Sequence, residues 1–82
     1  MSVNEEIRAV LKAHGRLAAD VDGLADESNL FLAGMTSLSS VNVMLGLEAA
    51  FDVEFPDRML RRDVFESIAA IQGAVAQLTE GA

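Results

Sequence analysis

The sequence predicts an all-α domain: a four-helix bundle with three main helices, one short third helix and a long first loop. Three segments repeat apolar residues at helical spacing, and the only proline follows the second of them. Of the 82 residues, 51% are hydrophobic, but only four are Phe and none is Trp or Tyr, which favours a helical core over a β-sandwich. A chain of this length is expected to form a single domain over residues 1–82.

The first predicted helix begins after Ser2, which forms a capping-box sequence with Glu5. Its apolar face combines residues spaced three or four apart: Val3, Ile7, Val10 and Leu11. Gly15 is expected just beyond the end of this helix, where a glycine often adopts a left-handed conformation.

A long loop, roughly residues 15–36, follows the first helix. A loop of this length in a small domain is usually functional. Four apolar residues are expected to hold it against the core: Leu24, Leu30, Phe31 and Leu32. Residues 20–23 resemble the start of a calcium loop, but the glycine comes too early and no Glu stands at the twelfth position. No metal site is therefore predicted.

The second helix is predicted from about Ser37 to Phe51, and the proline at residue 56 ends any helix before it. Its core-facing side is expected to contain Leu38, Val41 and Leu45, with Met44 and Phe51 as further candidates.

A short helical turn is predicted over residues 57–62, and Ser67 is expected to cap the start of the last helix. The apolar stripe of that helix consists of Ile68, Ile71, Val75 and Leu78.

The net charge of −7 comes from 13 acidic and 6 basic residues, and it disfavours binding to nucleic acid. An acidic surface suits basic protein partners, but it also serves simply to keep a small protein in solution. The chain has no cysteine, no secretory-type N-terminal sequence and no apolar run of ~20 residues, so we expect a cytoplasmic protein without a membrane span.

Residues 29–38 form the most informative stretch, because they place the hydroxyl of Ser37 where a loop meets the start of a helix. The free N–H groups and the positive dipole end of a helix N-terminus favour a phosphate ester there. Gly34 allows unusual backbone angles in the approach, and Leu38 is expected to turn inward and anchor the helix.

Three blocks of sequence resemble the acyl carrier and peptidyl carrier protein family. They are LFLAGMTSL at residues 30–38, LEAAFDVEFPD at residues 47–57 and FESIAAI at residues 65–71. Their order and spacing match the family over nearly the whole chain.

This resemblance implies a carrier with 4′-phosphopantetheine attached covalently to Ser37, beside Gly34, Thr36 and Leu38. A phosphopantetheinyl transferase would move the arm from coenzyme A, and the thiol of the arm would hold acyl or aminoacyl groups as thioesters. A loading ligase and a downstream transferase or synthase are the other implied partners. The protein is expected to be a monomer. It is not expected to be an enzyme, because it has one His, no Cys and no visible nucleophile–base pair.

The sequence departs from fatty acid carriers in two respects. Thr36 occupies the position before the serine, where those carriers usually have Asp. The outward positions of the second helix are expected to form a small, uncharged stripe of Ser39, Asn42, Gly46 and Ala49. Glu48 is the one acid within that helix, so charge steering by general fatty acid enzymes should be weak. We interpret this stripe, with Glu48, as a partner surface for a dedicated pathway, although these residues equally suit simple solvent exposure.

Arg58, Arg61 and Arg62 form a basic cluster in an otherwise acidic chain. Arg61 and Arg62 are candidates for a partner or phosphate contact. A solvated face in which the cluster pairs with Asp57, Asp63 and Glu66 is the favoured interpretation.

Two cargo classes remain open from the sequence. One is an acyl chain in lipid, polyketide or signal-molecule synthesis. The other is an amino acid loaded by a ligase akin to class II aminoacyl-tRNA synthetases. The unusual, neutral second helix and the stand-alone length resemble the small carriers that such ligases load. A different class of function is a non-covalent, acidic helical module that binds another protein's helix.

Overall fold

The computed structural model describes residues 2–18 and 20–80 and contains three α-helices: α1 (Val3–His14), α2 (Ser37–Phe51) and α3 (Ile68–Glu80). Three short 3₁₀ segments, Val21–Gly23, Asp57–Met59 and Arg62–Phe65, lie between them, and the described residues form no strand. The all-α prediction is confirmed. The predicted short third helix is instead a pair of separate 3₁₀ turns.

Local capping signals place the helix ends close to where the sequence predicts them. The Ser2 hydroxyl accepts a hydrogen bond from the amide of Glu5 at 3.1 Å, and the Ser67 hydroxyl accepts one from the amide of Ala70 at 3.0 Å. At the end of α1, however, Gly15 keeps a right-handed conformation and Arg16 takes the positive φ of 53°. The predicted helix stop at Gly15 is therefore confirmed, and the left-handed residue that ends the turn is the next one, Arg16.

The core is aliphatic, with a pair of tilted phenylalanine rings, Phe55 and Phe65, whose centroids are 5.4 Å apart. Its most deeply buried side chains come from all three helices and the first loop: Ile7, Leu11, Leu30, Val43, Leu47, Ile68, Ile71 and Val75. Val3 and Leu32 are exposed by 41% and 87%, so their predicted core positions are wrong.

The predicted core face of α2 is correct for Met44 and Phe51, which pack half-buried against the core, and wrong for its other three residues. Val43 and Leu47 point into the core, whereas Leu38, Val41 and Leu45 are exposed by 76%, 48% and 53%. The cause is that α2 carries apolar residues on every side, so apolar spacing does not identify the buried side.

One arginine of α1 fastens the first loop. The Arg8 guanidinium donates to the carbonyl oxygens of Val21 and Leu24 at 2.6 and 2.9 Å, and to Asp26 Oδ1 at 3.0 Å. The carbonyl of Asp26 in turn accepts from the amide of Ala69 in α3, at 2.9 Å. The loop is thus held to both helices before the chain reaches α2.

A second set of contacts joins the loop to the segment before α3. The amide of Leu30 donates to the carbonyl of Glu66 at 2.7 Å, and Asn29 Nδ2 donates to Glu66 Oε1 at 3.1 Å. The side-chain oxygen Oδ1 of Asn29 also accepts from the amides of Phe31 and Leu32. These bonds set the turn that leads toward Ser37.

Within the part of the chain that the structure describes, none of the helices has both the length and the apolar character that crossing a bilayer requires.

Candidate functional site

Ser37 is the first residue of α2, and its side chain is exposed to solvent. Among the described residues, the amides of Ser37 and Leu38 have no hydrogen-bond acceptor, as expected for the first turn of a helix. A phosphate ester on Ser37 Oγ would therefore lie beside two unpaired N–H donors at the positive end of the helix dipole. Leu38 is exposed, so its expected anchoring role is wrong.

Thr36 and Ser39 fix the start of α2. The Thr36 hydroxyl accepts from the amide of Ser39 at 3.1 Å, and the Ser39 hydroxyl accepts from the amide of Thr36 at 2.8 Å. Thr36 thus performs the N-cap role that Asp would also perform at this position. Ser39 is only 4% exposed, so the prediction that it faces outward is wrong. Its hydroxyl turns back to the cap instead.

Gly34 sits where two parts of the first loop touch. Its φ is 120°, and a Cβ placed on it would lie 2.8 Å from the backbone nitrogen of Ala18. That nitrogen donates to the carbonyl of Ala33 at 3.0 Å, which closes the contact. Glycine is therefore required here both by the backbone angle and by the space.

A pocket of about 370 Å³ opens beside Ser37, between α2 and the segments before α3. Its walls are mainly apolar, with two hydroxyls and two guanidinium groups: Phe31, Ser37, Ser40, Val41, Met44, Leu60, Arg61, Arg62 and Phe65. The Ser40 hydroxyl donates to the carbonyl of Ser37 at 2.7 Å, so it is held within the helix.

The three arginines of the basic cluster have different surroundings. Arg61 forms two bonds to Asp63, at 3.0 and 2.6 Å; they hold the pKa of Asp63 below its ordinary value and raise the pKa of Arg61. The Arg62 guanidinium carbon lies 3.9 Å from the centre of the Phe31 ring. Arg58 lines a different pocket, against α3. The predicted pairing is correct for Asp63 but not for Glu66, whose carboxylate accepts from an amide.

The small stripe predicted on α2 is divided between two surfaces. Asn42 and Ala49 are exposed. Gly46 faces α1, and a Cβ placed on it would lie 2.7 Å from His14 Cδ2. Glu48 is half-buried, and its carboxylate accepts from the amide of Phe55 at 2.8 Å. A single outward stripe is therefore wrong, because Gly46, like the capping serine, faces inward.

Exposed apolar side chains beside Ser37 were not predicted. Leu38 follows Ser37 directly, and the exposed Val41 and Leu60 line the same pocket as Ser37. Leu45 of α2 and Leu32 of the first loop are also exposed. One sequence signal could have indicated these exposed residues: α2 contains more apolar residues than one buried face needs. Residues 2–18 and 20–80 contain no cluster of three or more His, Cys, Asp or Glu side chains placed to hold a metal ion.

A family model described as "Phosphopantetheine attachment site" matches residues 5–75. The "Aminoacyl carrier protein" of Agrobacterium fabrum is 47% identical over 79 residues, covering 96% of this chain and 95% of that protein. "Aminoacyl carrier protein 1" of Bradyrhizobium diazoefficiens is 33% identical over 69 residues, covering 84% and 72%.

Two similar solved structures contain a carrier protein in complex with a ligase. A carrier protein from Agrobacterium tumefaciens, crystallised with ATP and an engineered Bradyrhizobium japonicum glycine:[carrier protein] ligase, superposes with a TM-score of 0.91 at 47% identity, over 94% of this chain and 100% of that one. A glycylated carrier protein bound to the Bradyrhizobium japonicum ligase gives 0.74 at 30% identity, over 87% and 95%.

Proposed function

The chain belongs to the phosphopantetheine attachment site family, and from this membership we propose that it is an aminoacyl carrier protein whose arm is attached to Ser37. The observation that carries the proposal is the exposed hydroxyl of Ser37 on the first residue of α2. In the transfer, Ser37 Oγ loses its proton and bonds to the phosphorus that bears pantetheine, while the pyrophosphate P–O bond of coenzyme A breaks and 3′,5′-ADP leaves. Gly34 and Thr36 support this position through the backbone, and Leu38 contributes an unpaired amide.

The proposed cargo is a small amino acid, held as a thioester on the thiol of the arm. Two relatives are named aminoacyl carriers, and a similar solved structure is a glycylated carrier protein. The arrangement supports delivery and not conversion, because the described residues form no nucleophile–base pair beside Ser37. We place this activity in the cytoplasm.

The proposed partners are a phosphopantetheinyl transferase, an ATP-dependent amino acid ligase and a downstream transferase. The surface around Ser37 supports a dedicated ligase, because the first turn of α2 contains no acid and the neighbouring leucines are exposed. A surface without acids and with exposed leucines relies on shape and apolar contact more than on the acidic charge steering of fatty acid carriers. Asn42 and Ala49 extend the same exposed side of α2.

The attachment site is tested by incubating the protein with coenzyme A and a phosphopantetheinyl transferase and then weighing the intact chain. Wild-type protein is expected to gain one phosphopantetheine. Ser40→Ala removes a half-buried hydroxyl one turn along the same helix and should gain the arm equally, whereas Ser37→Ala should gain nothing. Modification of Ser37→Ala would refute Ser37 as the attachment residue and place the arm on another hydroxyl. No modification of wild type would refute the carrier proposal and leave a non-covalent helical module.

The cargo is tested on the arm-bearing protein with ATP and a glycine:[carrier protein] ligase, or with an acyl ligase and fatty acids. We expect mass gain from an amino acid and none from fatty acids. The added mass should disappear with hydroxylamine, which cleaves thioesters. Loading by fatty acids alone would make the protein an acyl carrier.

A further inference from the structure

Arg62 is held beside the attachment site without a carboxylate partner. Its guanidinium stacks on Phe31 at 3.9 Å and lines the pocket that Ser37 also lines. None of the ion pairs formed by residues 2–18 and 20–80 involves Arg62, whereas Arg61 in the same pocket is neutralised by Asp63 at 2.6 Å. Stacking on an aromatic ring fixes the plane of a guanidinium and leaves its N–H groups available for an anion.

The pocket suits a chain that has a charged group followed by an apolar one. Its volume is about 370 Å³, and its apolar lining includes Val41, Met44, Leu60 and Phe65 beside the two arginines. An arm attached to Ser37 Oγ begins with a phosphodiester and one methylene, continues with a carbon that bears two methyl groups and a hydroxyl-bearing carbon, and then has two amides. Because Ser37 is itself a lining residue, the phosphodiester would lie against the pocket, and the methyl groups follow it after one methylene.

We propose that Arg62 binds the phosphodiester of the arm on Ser37, and that the pocket beside it receives the dimethyl part of pantetheine. This assignment rests on the proposed attachment at Ser37. The phosphodiester then has cationic donors on one side, from Arg62, and the unpaired amides of Ser37 and Leu38 on the other. Arg62 acts as a positioning residue: it gives the arm a resting direction across the pocket while the thiol end stays outside the apolar part.

The chain offers a matched control in Arg58. It is an exposed arginine of the same cluster, but it lines a separate pocket against α3. Arg62→Gln and Arg58→Gln therefore remove the same charge from the protein, but only Arg62 lines the pocket that Ser37 lines. Arg62 is exposed, so its replacement should not prevent folding.

The test uses the arm-bearing forms of wild type, Arg62→Gln and Arg58→Gln, each confirmed by intact mass. NMR is used to record the ³¹P signal of the phosphodiester and the nuclear Overhauser effects between the pantetheine methyl groups and the side chains of Val41, Met44 and Leu60. Wild type and Arg58→Gln should have the same ³¹P chemical shift, and both should show the Overhauser effects. In Arg62→Gln, the ³¹P chemical shift should change and the Overhauser effects should disappear.

Absence of the Overhauser effects in wild type, or equal spectra for the two variants, would overturn the role of Arg62 and its pocket. Failure of wild type to gain the arm at all would refute the attachment proposal instead, so the mass measurement separates the two failures.

Discussion

Thr36 and Ser39 cap the start of α2 for each other, because the amide of each donates to the hydroxyl of the other, at 2.8 and 3.1 Å. Ser37 lies between them and takes no part in the bonds. The backbone on both sides of the attachment residue is therefore fixed, while its own hydroxyl stays in solvent.

Replacing Thr36 with Ala should destabilise the fold by about 1 kcal/mol, because the amide of Ser39 loses its acceptor. Thr36→Asp restores an acceptor and should recover most of that loss. Ser39→Ala leaves the Thr36 amide unpaired near a buried site and should cost about 1–3 kcal/mol. Urea unfolding of the three variants measures these differences, and equal stability of Thr36→Ala and Thr36→Asp would contradict the capping role.

Gly34→Ala should destabilise the protein by about 1–3 kcal/mol, since the backbone angle of 120° is unfavourable for alanine. The new Cβ would also meet the backbone nitrogen of Ala18 at 2.8 Å. Gly23→Ala is the matched control, because a Cβ there has nothing within 4 Å and no positive φ. Thermal unfolding should show a large loss of stability for Gly34→Ala and little change for Gly23→Ala. Similar losses of stability would show that neither the backbone angle at Gly34 nor the space around its Cβ matters.

Two helical glycines should respond in different ways to alanine. Gly73 in α3 has open space around it, so Gly73→Ala should stabilise the protein by about 1 kcal/mol through helix propensity. Gly46→Ala in α2 brings a Cβ to 2.7 Å from His14 and 2.9 Å from Val10, which opposes that gain. In denaturant unfolding, Gly73→Ala should have a higher free energy of unfolding than Gly46→Ala. Adding His14→Ala to both variants should reduce this difference in free energy. The reverse ranking would show that α1 and α2 are not in close contact at Gly46.

The Asp63 carboxylate should titrate below its ordinary pKa in wild type, because Arg61 donates two hydrogen bonds to it. A depressed folded-state pKa means that the pair stabilises the fold above the unfolded pKa and that this effect is lost as pH falls through the folded pKa. Both groups are exposed, so the effect on stability is small. NMR titration of the Asp63 side chain should show its midpoint rise in Arg61→Gln and stay unchanged in Arg58→Gln. An unchanged midpoint in Arg61→Gln would refute the pair.

The parts of the fold that sequence predicted are those set by neighbours along the chain. Ser2 and Ser67 act within three residues of themselves, and the bounds of α2 follow from Ser37 and Phe51 as predicted. Local spacing did not reveal which side of α2 is buried, because that depends on where α1 and α3 pack. Arg8 shows the same limit, since its three acceptors lie 13 to 18 residues away.

The candidate site divides in the same way. The position of Ser37 at a loop-to-helix junction is a local property, and the structure agrees with it. The pocket is a property of three separated segments, which contribute Phe31, Met44 and Phe65. No periodic pattern relates such residues, so the pocket and the stacked Arg62 required the fold.

The clamp of Arg8 on the first loop has a mechanical consequence for a tethered cargo. Because one guanidinium ties three acceptors of residues 21–26 to α1, we expect this part of the loop to stay fixed when Ser37 carries the proposed load. The reach of the cargo then comes from the tether alone, and its pivot keeps one location relative to the helices. Each enzyme that binds the domain therefore encounters the attachment point of the tether at the same position, whichever group the tether carries.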